Sequence, residues 1–142
     1  MITMRLFGPA AVLCLGTFAL AQSVAVFKTR LSPVAMDATM RATVAGSGSV
    51  AGRLTGPRLV VTGFFEGLLS PATIAQMRRS PVTGVRGRAV FDLTVTKAAG
   101  GTISGSFDLT PVQIEDLRKG RFYVQLDSEK APDGNLWGWL LP

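Results

Sequence analysis

Period-two alternation of apolar and polar residues, punctuated by glycine, dominates this chain and restricts it to an antiparallel β architecture. Between Thr102 and Leu109, Ile103, Phe107 and Leu109, with Gly105, alternate with Thr102, Ser104, Ser106 and Asp108. Between Arg88 and Thr96, Ala89, Phe91, Leu93 and Val95 alternate with Val90, Asp92, Thr94 and Thr96. Lys97-Ala98-Ala99-Gly100-Gly101 reads as the hairpin loop joining these two strands. Arg58 to Phe65 follows a Gly56-Pro57 turn and, rich in β-branched and aromatic residues, predicts a more fully buried strand. Arg41 to Leu54 alternates small residues with Gly46, Gly48 and Gly52, as suits close backbone approach in a curved sheet. Val24 to Leu31, Arg121 to Leu126 and Leu136 to Leu140 bring the strands to about seven.

One short helix interrupts them. Thr110 is its N-cap, Pro111 its first residue, Gln113 closes a capping box and Gly120 stops it. The expected fold class is all-β: an antiparallel β-sandwich, Ig-like or superoxide-dismutase-like, of about seven or more strands with one short helix.

The N-terminus predicts an export signal over residues 1–21. Arg5 supplies the positive charge, Leu6 to Leu20 is apolar, and Ala19-Leu20-Ala21 is a small-x-small cleavage pattern. Gly8-Pro9 and Gly16 break the run, which is shorter than a membrane span. The mature chain, residues 22–142, is expected to be one domain without a membrane span, periplasmic or extracellular. Cys14 lies within the signal, so no disulfide is expected and packing alone must hold the domain.

Removing Arg5 lowers the formal charge from +6 to +5. The basic residues are spread, with short groups at Arg78-Arg79, Arg86 and Arg88, and Arg118-Lys119-Arg121. Dispersed charge of this kind suits solubility and an acidic neighbour, and no helical basic stripe supports nucleic-acid binding.

Histidine is absent throughout. The side chain that most often handles protons and transition metals near neutral pH is therefore missing. Asp92 and Asp108 sit on polar strand faces where ordinary solvation explains them, and no base is available to activate a serine or threonine. No catalytic residue, cofactor or metal is expected. Asp127, Glu129, Asp133 and Asn135 supply oxygens without EF-hand spacing, because Pro132 stands where the turn glycine belongs, and an acidic hairpin loop with an Asp133-Gly134 turn is the better reading.

Several ordered segments together resemble the CHRD domain, the module named from chordin and found in bacterial secreted proteins. They are Gly63 to Gly67 followed by Leu68-Leu69-Ser70-Pro71-Ala72-Thr73, then Ala75-Gln76-Met77-Arg78, then Gly84-Val85-Arg86-Gly87 leading into Ala89-Val90-Phe91-Asp92-Leu93. Gly105 to Thr110, Leu117 to Val124 and Ala131 to Leu140 continue the series. The resemblance implies an antiparallel β-sandwich and a family set of histidines, an Ala-His-x-His motif plus one beyond the Tyr-Val strand. In this chain those positions hold Gln76, Arg78 and Asp127. A guanidinium cannot ligate a cation. Either an Arg78–Asp127 ion pair, joined by Gln76, replaces the site structurally, or the two are separately solvated surface charges.

Trp137, Trp139 and Leu141 share one face of the last strand, while Leu136, Gly138 and Leu140 take the other. A strand apolar on both faces is buried or presents one face to a partner, and tryptophan favours interface hot spots. The function these features favour is an exported, non-catalytic CHRD-type domain acting by protein–protein contact, as a small accessory subunit of a larger periplasmic complex. Trp137, Trp139 and the basic groups Arg79, Arg86 and Arg88 are the candidate contacts. The alternatives are a module binding an anionic or saccharide ligand at the arginines, or a degenerate metal-site protein.

Overall fold

The computed structural model describes residues 23–35 and 37–142. The predicted export signal, residues 1–21, lies outside the described residues. Eight strands run in chain order: β1 Val24–Pro33, β2 Ser47–Thr55, β3 Arg58–Glu66, β4 Ala72–Arg79, β5 Arg88–Val95, β6 Gly101–Asp108, β7 Phe122–Ser128 and β8 Ala131–Trp139. The helix α1, Pro111–Arg118, separates β6 from β7.

All pairings are antiparallel, in the order β1-β2-β3-β6-β5-β4-β7-β8, and the sheet closes on itself. This corrects the expected sandwich: the strands form a closed barrel. Two strands that change partners along their length bring this about. Val24 to Leu31 of β1 pair with β2, whereas Ser32 and Pro33 pair with Trp137 and Leu136 of β8. Arg88 to Leu93 of β5 lie along β4, whereas Thr94 and Val95 pair with Ser104 and Ile103 of β6. Such switching strands are how packed sheets acquire corners, and closure removes exposed sheet edges.

Alternation delivers the core. Along β3, Leu59, Val61 and Phe65 are buried while Val60, Thr62 and Phe64 face outward. The strand expected to be buried on both faces is therefore buried on one. Inward residues of β7 and β8, among them Phe122, Val124, Leu126 and Leu136, meet Phe27 and Leu31 of β1 in the same core. Each such side chain contributes about 1.5–3 kcal/mol of transfer free energy. At Gly63, which pairs with Val50, an added Cβ would stand 2.5 Å from the Ser49 carbonyl oxygen, so β2 and β3 approach too closely for any other residue.

The helix forms as its caps dictate. Thr110 Oγ1 accepts from the Gln113 backbone N–H at 3.2 Å, and Gln113 Oε1 accepts from the Thr110 N–H at 2.9 Å. Gly120, at φ +70°, ends it, and Leu117 is buried in the barrel core.

The chain between Asp127 and Asn135 departs from the expected acidic loop. Asp127 and Ser128 complete β7, a two-residue turn at Glu129 and Lys130 follows, and Ala131 to Asn135 already belong to β8. Side chains fix this tight turn: Ser70 Oγ accepts from the Lys130 N–H at 2.9 Å, and Ser128 Oγ meets Asn135 Oδ1 at 3.1 Å.

Candidate functional site

β4 lies between β5 and β7, and its residues Gln76 and Arg78 project outward while Ala75 and Met77 face the core. Register then lays two rows across the outer face. Asp92, Gln76, Gln125 and Trp137 form one, on β5, β4, β7 and β8. Arg78, Tyr123 and Trp139 form the other. Asp127 opposes Ile74 further along β7. All three family-histidine positions thus share one outer face of adjacent strands.

Each nitrogen of the Arg78 guanidinium donates to a neutral acceptor. Nη1 donates to Gln76 Oε1 at 3.0 Å, Nη2 to the Gly87 carbonyl at 2.8 Å, and Nε to Gly87 O and Tyr123 Oη, each at 3.2 Å. Gln76 Nε2 in turn donates to Asp92 Oδ1 at 3.2 Å. The Tyr123 hydroxyl also accepts from the Gly87 N–H at 2.9 Å, so Arg78 and Tyr123 tie the segment before β5 onto the sheet. Gly87 has no room for a side chain there, because an added Cβ would collide with the Arg79 carbonyl.

The expected Arg78–Asp127 pair is not made. Asp127 instead accepts from Gln125 Nε2 at 3.0 Å, and Gln125, directly opposite Gln76, occupies the space between the two charges. The diagonal offset leaves Asp127 and Gln76 about 7–8 Å apart by sheet geometry. Burial pushes the Asp127 carboxyl above its ordinary value of 3.8, the Gln125 hydrogen bond and the Arg78 charge only partly opposing the rise.

The tryptophans are half-buried rather than open. Tyr123, fully buried, stacks on Trp139 at 4.6 Å between centroids, and Trp137 meets Trp139 edge-on at 4.8 Å. Arg86 lies over Trp137 at 5.4 Å and donates from Nη1 to the Asp133 carbonyl at 3.0 Å. Trp139 Nε1 is buried without a hydrogen-bond partner among the described residues. Among the described residues no three carboxylate or thiol groups converge as metal ligands, and Gln76, Arg78 and Asp127 do not fit a cation site.

The arginines divide between two places. Arg78 and Arg86 belong to the network above, whereas Arg79 and Arg88, a cross-strand pair, line a separate cleft with Arg121, Ser80, Pro81, Gly87 and Val90. Beside it, Asp116 of α1, 4% exposed, accepts from Arg79 Nε at 2.6 Å and Arg121 Nη1 at 3.2 Å. Burial alone would raise the Asp116 carboxyl, but the hydrogen bonds and charges of Arg79 and then Arg121 hold it below its ordinary value of 3.8.

Sequence reasoning had not singled out Tyr123, Gln125, Gly87, Asp116 or Arg121 as site residues. The signal for Tyr123 and Gln125 was present, since both alternate with the core residues Phe122, Val124 and Leu126.

A closed antiparallel barrel with one covered polar–aromatic face and one arginine-lined cleft is the architecture into which these residues fold. The CHRD domain family model matches residues 27–140, and the chain belongs to that family. Domains of this family are typically extracellular and of the protein-binding kind. No curated protein and no solved structure matches the chain. Among the described residues no helix is long and apolar enough to cross a membrane.

Proposed function

We propose that this CHRD domain is an exported, non-catalytic module that acts by protein–protein contact, as a small accessory subunit of a larger envelope complex. The observation that carries the reading is the open outer face of β1, β2 and β3. Phe64 is 53% exposed there, with Val26 and Val60 on the same face and small residues Ser49, Ala51 and Thr62 around it. Exposed cations interleave with them: Arg53 stands between Val26 and Val60, Lys28 lies beside Ala51 in the row of Thr62, and Arg30 lies beside Ser49 in the row of Phe64. An exposed aromatic anchor set among cations on the outer face of the barrel suits an acidic protein surface.

We favour this face over the tryptophan strand, where Trp137 and Trp139 are half-buried against Tyr123 and Arg86 lies over Trp137. The non-catalytic reading is supported by the absence of histidine and by the engagement of the acids near β4 and β6: Asp92 by Gln76, and Asp108 by Arg58 at 3.4 Å.

The test is co-purification of the chain from its native envelope in mild detergent, followed by size analysis and mass spectrometry. Stoichiometric recovery with one larger protein supports the reading. A lone monomer near its calculated mass contradicts it.

A further inference from the structure

We infer that the cleft lined by Arg79, Arg88 and Arg121 is a binding site for the phosphomonoester dianion of a small organic phosphate. The inference is independent of the protein-contact reading, which concerns the opposite run of strands.

Three strands or strand entries bring the cations together. Arg79 ends β4, Arg88 begins β5 opposite it, and Arg121 directly precedes β7. Asp116 is the positioning residue. It takes one nitrogen from each of two arginines, Nε of Arg79 and Nη1 of Arg121, and fixes both stems. Both terminal nitrogens of Arg79, Nε and Nη2 of Arg121, and the whole guanidinium of Arg88 make no hydrogen bond among the described residues. One carboxylate against three guanidiniums leaves the cleft with a surplus of two positive charges.

The shape of the site selects the ligand class. A planar carboxylate is satisfied by one arginine fork, whereas a phosphate group offers oxygens to donors arriving from several directions. The cleft has a volume of about 620 Å³, within the range of small-ligand pockets and far more than a bare inorganic anion fills. Val90 and Pro81 supply apolar wall for the organic body.

The direct test is isothermal titration of the purified chain with glycerol 3-phosphate in about 0.15 M chloride, with malonate as the dicarboxylate control. Saturable binding with a dissociation constant of about 10⁻⁵–10⁻³ M is expected, weakened about tenfold or more by Arg88→Gln. Arg88 is exposed and makes no bond among the described residues, so this variant is expected to keep the wild-type thermal midpoint. Arg121→Lys, which keeps the charge facing Asp116 but loses the fork, is expected to weaken binding as well.

Vesicles containing phosphatidic acid, against phosphatidylcholine alone, separate the sources. Capture lost in Arg88→Gln assigns the phosphate to a lipid headgroup, and binding of the soluble ester without capture assigns it to a soluble metabolite. Equal response to malonate, or affinity unchanged in Arg88→Gln, overturns the inference.

Discussion

Arg78 donates from Nη1 to Gln76 Oε1 at 3.0 Å, so the two β4 positions at which the CHRD resemblance implies histidine are here bonded directly to each other. The same guanidinium reaches Gly87 and Tyr123, and the surface is thereby committed to holding the 80–87 segment in place. These side chains form an internal clasp, and the Arg78 charge acts at longer range on the Asp127 carboxyl.

Arg78→Ala removes the donor to three acceptors and is expected to destabilise the domain by about 2–3 kcal/mol. Arg78→Lys restores the charge but not the planar fork and is expected to recover less than half of the loss. Urea unfolding of the three proteins measures this, and full rescue by lysine would assign the stabilisation to charge alone.

Asp127→Asn is expected to stabilise the protein at neutral pH. The folded carboxyl titrates above its ordinary value of 3.8, so its ionisation costs stability in full above the folded value, and the cost disappears as pH falls to 3.8. Asparagine removes that cost and keeps an oxygen for the Gln125 amide. A melting temperature about 2–5 °C above wild type at pH 7, converging with wild type at about pH 3.5, is the expected pattern. A gap that persists unchanged in acid would show that ionisation is not its source.

Asp116 behaves in the opposite sense. Its folded carboxyl lies below 3.8, so the stability it contributes is present above that value and is lost as pH falls through the lower folded one. Asp116→Asn is expected to cost about 1–2 kcal/mol at pH 7, at the modest end for such pairs because both guanidiniums reach water. Denaturant midpoints at pH 7 and about pH 3 check it: the deficit shrinks in acid, where the unfolded wild-type chain takes up a proton that the folded carboxyl resists.

Phe64→Ser is expected to change unfolding free energy by no more than about 0.5 kcal/mol, because the ring lies on the outer face, while abolishing co-purification of the partner. Retention of the partner by this variant would move the contact off the β1–β3 face.

Much of the fold is legible in the sequence because much of it obeys one period. β6 and the capped helix follow from alternation and from Thr110, Pro111 and Gln113, and β5 follows from Phe91 onward, before which a bulge at Val90 turns Val90 to the core and leaves Ala89 exposed. β4 does not. A register shift at Ala72/Ile74 breaks its period, and its Ala-Gln-Met-Arg run carries helix formers. This is the strand that bears Gln76 and Arg78, so sequence names these residues without supplying the surface on which they sit. Closure into a barrel is equally hidden, since it depends on β1 and β5 exchanging partners over only two residues each. The Arg79–Asp116–Arg121 triad joins β4, α1 and the entry to β7, and no local pattern announces it.

The central claim is that Phe64 stands at the contact with a larger partner. The most direct measurement places a photocrosslinking residue at position 64, and in a control at the exposed Val112 of α1, with the chain in its native envelope. One discrete adduct of higher mass from position 64 and none from position 112 is the predicted result. No adduct from position 64, or the same adducts from both positions, would contradict it.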